Sequence, residues 1–269
     1  MKRQRLLVLL QQNFPEFSKK ELYAKILCGE VSAEGQRLRD PKELLASGTR
    51  FSLLKGRRYV SRGGNKLDKA IEVFGPLGFF SRAPRAELII LDAGASSGGF
   101  SDCLLQYGCG KIYAVDSGKN QLDFKLRRDP RVHSFEGCNI QNFIVNLPSS
   151  GLQSPDFVVM DISFRSILPL IPPSLAACRS RSGVFLCKPQ FEWKAFCRAF
   201  PPYQKEDFCG IVGDEISSLV RNWFCWELEE AGVEILGSCL SPIRGGKGNL
   251  EFLFYLRYLG ESDGRMGKV

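Results

Sequence analysis

Residues 87–100 read Glu-Leu-Ile-Ile-Leu-Asp-Ala-Gly-Ala-Ser-Ser-Gly-Gly-Phe, an apolar run that ends in an acid and then in three glycines across a tight turn. Leu88–Leu91 suits a buried parallel strand, and Gly94, Gly98 and Gly99 let backbone approach a ligand. A helix starting near Gly99 would aim its N–H groups at that ligand. The pattern Gly94-x-x-x-Gly98-Gly99 is neither the dinucleotide fingerprint nor a Walker loop, so pyrophosphate cradling is disfavoured. Asp92 ahead of the turn suits a cofactor that carries an amine, such as S-adenosylmethionine. Asp116, 24 residues after Asp92, ends the next apolar run and can accept two ribose hydroxyls.

Three further strands end in or carry charges that an apolar core does not explain. Asp161 follows Phe157-Val-Val-Met160, Lys188 follows Val184-Phe-Leu-Cys187, and Glu251 lies inside Asn249-Leu-Glu-Phe-Leu-Phe. Ligands of open parallel sheets bind outside the carboxyl ends of strands, which gathers Asp92, Asp116, Asp161 and Lys188 into one cleft. Buried charges must be paired, so Lys66 and Lys188 converging there with Asp161 and Glu251 is tolerable where one charge alone is not.

The elements that position these groups alternate. Candidate strands cover 88–92, 111–116, 132–136, 156–161, 183–188, 233–239 and 250–258, with helices near 99–107, 121–127, 166–178 and 215–231. This order predicts an α/β fold with a parallel-dominated sheet covered on both faces, and seven strands suit a Rossmann-like methyltransferase.

The 269 residues suffice for one large domain and a small one. The formal net charge is +8, but residues 1–66 hold 15 Lys/Arg and 6 Asp/Glu while the remainder holds 22 and 23. A basic excess confined to the first quarter is expected of a nucleic-acid-binding module on a near-neutral catalytic body. The ten cysteines, Cys28 and Cys209 among them, are scattered without a C-x-x-C pair, so neither a metal site nor a disulfide framework is indicated. His133 is the only histidine and sits in an apolar run, which removes hydrolase triads and most metal chemistry. Leu6–Leu10 is too short for a signal-peptide core and no run reaches bilayer length, so a cytoplasmic protein with reduced thiols is expected.

Residues 5–53 read as two short helices and then strands. Ser18 and Glu21 can form a capping box, Gly29 can stop the second helix, Gly35 fits a hairpin turn, and Phe51–Leu54 can close a small sheet. Lys19, Lys20 and Lys25 lie on that second helix. The segment Arg5-Leu6, Leu9-Leu10, Ser18-Lys19 and Gly29-Glu-Val-Ser-Ala-Glu-Gly35 resembles the RNA-binding domain named after small-subunit ribosomal protein S-four. Lys19 stands in place of an arginine and Glu34 in place of an asparagine. The resemblance implies an RNA-binding domain over 1–55, with Arg5, Lys19, Lys20 and Lys25 on RNA. A basic linker, 56–66, would follow with Arg62 contributing, and then a catalytic domain over 67–269.

Six ordered motifs carry a wider resemblance: Ser61-Arg-Gly-Gly-Asn-Lys66, Asp92–Phe100, Arg128-Asp-Pro-Arg-Val132, Asp161-Ile-Ser-Phe164, Lys188-Pro-Gln-Phe-Glu192 and Ser241-Pro-Ile-Arg-Gly-Gly-Lys-Gly-Asn249-Leu-Glu251. Together they resemble the TlyA, or hemolysin A, family, whose members are similar to FtsJ-type ribose methyltransferases. That resemblance implies S-adenosylmethionine-dependent 2′-O-methylation of cytidine in ribosomal RNA or ribosomal subunits. It implies a catalytic tetrad on Lys66, Asp161, Lys188 and Glu251. The donor would be held by Asp92, Gly94, Ala95, Ser96, Gly98, Gly99 and Phe100, its ribose by Asp116, and its adenine near Cys138 and Asn139.

A ribose 2′-hydroxyl is a poor nucleophile until its proton is removed or polarised, and Lys188, oriented by Asp161 and Glu251, is the candidate for that work. After Glu192 the family's glycine-rich loop gives way to Trp193–Gly213, whose Trp193, Phe196, Phe200 and Tyr203 could stack on a nucleotide or simply pack. Two rival functions remain at this level, a membrane-active hemolysin and a catalytically silent RNA-binding assembly factor. The chain lacks a strongly amphipathic cationic helix, which disfavours the first.

Overall fold

The computed structural model describes residues 3–27, 29–53, 58–80, 84–203 and 210–260. Cys28, Leu54, linker residues 55–57, loop residues 204–209 and the tail from Ser262 lie outside the described residues. The chain divides into two compact units, Met1–Arg58 and Tyr59–Val269.

The first unit runs β1 (Arg3–Arg5), α1 (Leu6–Asn13), α2 (Lys19–Leu27), β2 (Val31–Ala33), β3 (Gln36–Leu38), β4 (Leu44–Ala46) and β5 (Phe51–Leu53). β2 pairs antiparallel with β3 and β5, while β1 pairs with β4, a ribbon the periodicity did not indicate. The capping box forms as expected: Glu21 N–H donates to Ser18 Oγ at 3.3 Å and Ser18 N–H to Glu21 Oε2 at 2.8 Å. Helices this short are marginal alone, and Leu6, Leu10, Leu22, Ile26, Val31 and Leu38 supply the shared core that holds them.

The second unit contains α3 (Gly63–Phe74), β6 (Ile89–Ala93), α4 (Gly99–Gln106), β7 (Lys111–Asp116), α5 (Phe124–Arg127), β8 (Val132–Glu136) and α6 (Ile140–Asn146). There follow β9 (Phe157–Met160), α7 (Ile171–Ala176), β10 (Ser182–Cys187), α8 (Pro189–Ala199), α9 (Asp214–Glu230), β11 (Val233–Leu240) and β12 (Phe252–Tyr258). Its seven strands form one sheet in the order β11-β12-β10-β9-β6-β7-β8. β6 to β10 are mutually parallel, and β12 runs antiparallel to both β10 and β11. The predicted seven-stranded α/β fold is therefore the observed one. From β6 the chain steps outward through β7 and β8, then returns to β9 on the other side, so the carboxyl ends of β6 and β9 flank a topological switch point.

Strand alternation splits the core between two faces. Ile89, Leu91, Ala93, Phe185, Cys187, Phe252 and Phe254 serve one layer, while Ile90, Val184, Leu186, Leu253 and Tyr255 serve the layer containing α3 and α4. Each large apolar side chain so buried contributes about 1.5–3 kcal/mol. The same parity turns Asp92 toward α4.

Three expectations shift. The segment read as a linker is part of the second unit from Tyr59 onward, because Tyr59 is buried and Val60 N–H donates to buried Asp102 at 2.8 Å. Its helix α3 begins at Gly63, inside the segment read as a linker and four residues before the expected start of the catalytic domain at Leu67. Residues 193–199, read as the head of a loop, belong instead to α8 (Pro189–Ala199), with Pro189 at its first turn where a missing N–H costs nothing. Short α6, rich in branched residues, was likewise not foreseen.

Candidate functional site

Two adjoining cavities open beyond the carboxyl ends of the parallel strands. The larger, about 620 Å³, collects Lys66, Asp161, Lys188 and Glu251 together with Arg62, Gly99 and Phe100. The smaller, about 390 Å³, is lined by Asp116, Gly118, Cys138, Asn139 and Ile140. Gly94, Ser96, Asp161, Ser163 and Phe164 line both, so the two spaces meet at the loops after β6 and β9.

The four charges form two ion pairs. Lys188 Nζ lies 2.5 Å from Asp161 Oδ1, and Lys66 Nζ lies 2.5 Å from Glu251 Oε2. All four side chains are at most one-fifth exposed, and pairing is what makes their burial tolerable. The expectation that Glu251 orients Lys188 is corrected, because Glu251 is committed to Lys66 across the cavity wall. The second partner of Lys188 is instead Ser163, whose Oγ accepts from Nζ at 2.8 Å. Ser163 belongs to the motif Asp161–Phe164 but drew no role from the sequence. Lys188 immediately precedes Pro189 at the N-cap of α8, which fixes its backbone at the mouth of β10.

Glu192, one turn into α8, ties this wall to the loop after β9. Ser166 Oγ donates to its Oε2 at 2.5 Å and Ile167 N–H to its Oε1 at 2.8 Å. Burial pushes its pKa up to about 7, against the lowering effect of those two bonds. Beside this loop Phe164 is 92% exposed with φ +68°, its ring 5.5 Å from that of Phe191 at the rim of the larger cavity.

On the smaller cavity Asp116 accepts Ser96 N–H at 2.8 Å and Gly118 N–H at 2.7 Å, which orients its carboxylate while leaving further lone pairs. Asn139 caps α6 by accepting Gln141 N–H at 2.9 Å. Ala95 lines the larger cavity. Asp92 and Gly98 line neither: Gly98 caps α4, and Asp92 is fully buried behind the turn, accepting Ser101 Oγ at 2.6 Å. Desolvation raises the pKa of Asp92 to about 7.

Acids raised in this way favour the folded state when protonated. Their contribution is complete below the ordinary carboxylate range and is lost as pH rises through about 7. Relative to the parent, Asp92→Asn and Glu192→Gln should therefore gain thermal stability as pH is raised from about 5 to about 8. Unfolding curves of the cofactor-free proteins check this, and a constant offset across that range would contradict it.

The aromatics after Glu192 divide by burial. Trp193 and Phe196 are 5% and 3% exposed and pack on each other, with Phe196 also edge-on to Trp223, so they are core, whereas Phe200 and Tyr203 remain exposed. In the first unit Arg5, Lys19 and Lys20 are exposed, but Lys25 is half-buried, 3.2 Å from Glu30 and set over the Phe17 ring. His133 lines neither cavity and stands edge-on to Tyr113. No helix among the described residues is long and apolar enough to cross a membrane.

Residues 59–258 match the FtsJ-like methyltransferase family. The chain belongs to that family. It is 34% identical to Hemolysin A of Brachyspira hyodysenteriae, covering 85% of this chain and 89% of that protein. It is 32% identical to the 16S/23S rRNA (cytidine-2′-O)-methyltransferase TlyA of Mycobacterium tuberculosis, covering 89% and 84%. The solved structure of a candidate hemolysin from Streptococcus thermophilus superposes with a TM-score of 0.64 at 33% identity, covering 96% of this chain and 89% of that one.

Proposed function

We propose that this protein transfers a methyl group from S-adenosylmethionine to a ribose 2′-hydroxyl of ribosomal RNA, with cytidine as the target nucleoside. The observation that carries the reading is the pairing of two lysines with two carboxylates in a cavity that abuts a nucleoside-sized one. The smaller cavity fits the cofactor. Its volume lies in the usual range for small ligands, about 300–1,000 Å³, and Asp116 stands at the end of β7 where a carboxylate can take ribose hydroxyls. Gly94, at φ +85°, brings backbone close: a Cβ there would lie 2.8 Å from Asp161 O.

Bound S-adenosylmethionine supplies an electrophilic methyl on a sulfonium. The Lys188 ammonium that pairs with Asp161 first gives one proton to solvent; the free amine then takes the 2′-hydroxyl proton as the oxygen attacks, and Asp161 stabilises the ammonium so restored. Ser163 fixes the direction of Nζ. Lys66, held by Glu251, lends a positive charge to the developing alkoxide. Ala95, Ser96, Gly99 and Phe100 shape the passage between donor and acceptor, while Asp92 and Gly98 act one layer behind by holding α4 against β6. Exposed Phe164 offers a face to an unstacked base.

The first unit supplies RNA affinity through Arg5, Lys19 and Lys20. Replacing all three by alanine is expected to weaken binding to ribosomal subunits by at least tenfold, to flatten its salt dependence by roughly 2–3 logarithmic slope units, and to leave cofactor affinity unchanged. Equal losses in RNA and cofactor binding would contradict a separate RNA-binding role. The reading as a whole is tested by labelled methyl transfer to ribosomal subunits that lack native modification: transfer supports it, whereas cofactor binding without transfer to either subunit opposes it.

A further inference from the structure

The larger cavity is lined by five cations and two carboxylates. Two of the cations, Lys66 and Lys188, are neutralised by Glu251 and Asp161. The remaining cations on this wall are Arg62, Arg244 and Lys247, none of which the proposed methyl transfer employs. Arg244 and Lys247 lie in the loop Ser241–Asn249, which is closed by Gly245 N–H donating to Asn249 O at 2.9 Å. Buried Asn249 fastens this loop to the segment before α9, its Oδ1 accepting Val212 N–H at 2.8 Å and its Nδ2 donating to Gly210 O at 2.9 Å.

Arg244 is the one whose present partner points to a function. Its Nη1 and Nη2 reach both oxygens of Asp214 at 2.9 and 2.8 Å, a planar fork on a planar acceptor. Both side chains are more than half exposed, at 52% and 57%. Water and salt screen an ion pair so exposed, which leaves it open to exchange with another anion. Asp214 opens the 17-residue helix α9, and its carboxylate keeps a favourable site at that positive helix end when the guanidinium leaves. A second bond, Nη1 to Gly248 O at 2.9 Å, keeps the guanidinium at the cavity even so.

Resting on the RNA reading above, we propose that Arg244 is a backbone-phosphate ligand for the nucleic-acid substrate, held by Asp214 as an exchangeable stand-in. The phosphodiester next to the target ribose replaces the Asp214 carboxylate, offering the same fork two oxygens that likewise share one negative charge, with the rest of the bound strand adding contacts that Asp214 lacks. Asp214 thereby acts as a competitor: it occupies the guanidinium until RNA enters, and it weakens attachment to anions that bring no further contacts. Arg62 stands on the same cavity with no ion pair among the described residues, placing a second cation for a neighbouring phosphate.

The two partners of a competing pair must have opposite effects, which a structural pair cannot show. Affinity for ribosomal subunits lacking native modification is measured against salt concentration for the parent, Arg244→Gln, Asp214→Asn and the double variant. Arg244→Gln should weaken binding by roughly threefold to tenfold and flatten the salt slope by about one unit. Asp214→Asn should tighten binding severalfold and lose that gain when combined with Arg244→Gln. Cofactor affinity stays at the parent value throughout. Equal weakening by both single substitutions, no change from either, or a loss of cofactor affinity in Arg244→Gln overturns the proposal. Failure of the parent itself to bind either subunit overturns the RNA reading beneath it.

Discussion

Lys188→Ala is expected to lower methyl transfer by about 10³-fold while S-adenosylmethionine binds as before. The side chain lines the larger cavity, proposed for the acceptor, and not the smaller one proposed for the donor, so its loss removes the proposed proton acceptor without removing a group from the donor space. Lys188→Arg should fare little better, since a guanidinium keeps its proton at any working pH. Ser163→Ala retains the Asp161 ion pair and loses only the 2.8 Å hydrogen bond that aims Nζ, so a smaller fall in kcat with unchanged cofactor affinity is expected. Single-turnover transfer and calorimetric cofactor titration read both quantities. Near-full activity in Lys188→Ala would remove this lysine from the mechanism.

Gly94→Ala should impair both halves of the site together. The residue is left-handed at φ +85°, where a side chain costs about 1–3 kcal/mol, and the added Cβ would lie 2.8 Å from Asp161 O. Relief requires the loop after β9 to retreat, carrying Asp161 away from Lys188 and reshaping the wall that the two cavities share. A roughly 10–100-fold weaker cofactor affinity follows from strain of that size, with an additional loss in transfer. An unchanged affinity would mean that the backbone of this turn does not approach the donor.

Why some of this was legible in the chain and some was not is visible at particular residues. The strands were readable because a sheet covered on both faces demands near-continuous apolar runs, as in Ile89–Leu91 and Val184–Cys187, and charges that interrupt such runs stand out. Asp161, Lys188 and Glu251 were found in that way, and the structure places them with Lys66 on one cavity. Their pairing was not readable, because it depends on which wall each strand end faces after folding. Glu251 was expected in one cleft with both lysines, but nothing nearby in the chain marks Lys66, 185 positions away, rather than Lys188 as its partner.

Asp92 illustrates a different limit. Its position before the glycine turn suggested ligand contact, yet strand parity points it at Ser101 of α4, the face opposite to Leu91 and Ala93. Counting alternation along β6 would have revealed this. Helix α8 was obscured because Lys188-Pro-Gln-Phe-Glu192 begins with a proline and leads into aromatics where a glycine-rich loop was expected. Proline at the first helical turn is favourable, however, and Trp193, Phe196 and Cys197 repeat at helical spacing. Glu192 and Arg244 lay in motifs already singled out, but only three-dimensional contacts showed what they hold.

The central claim is that the acceptor is a ribose oxygen, and alkaline hydrolysis of the methyl-labelled ribosomal RNA tests it most directly. A 2′-O-methyl group blocks the 2′-oxygen from attacking the adjoining phosphodiester, so label recovered in alkali-resistant dinucleotides is the predicted result. Label released in mononucleotides would place the methyl on a base and contradict the account.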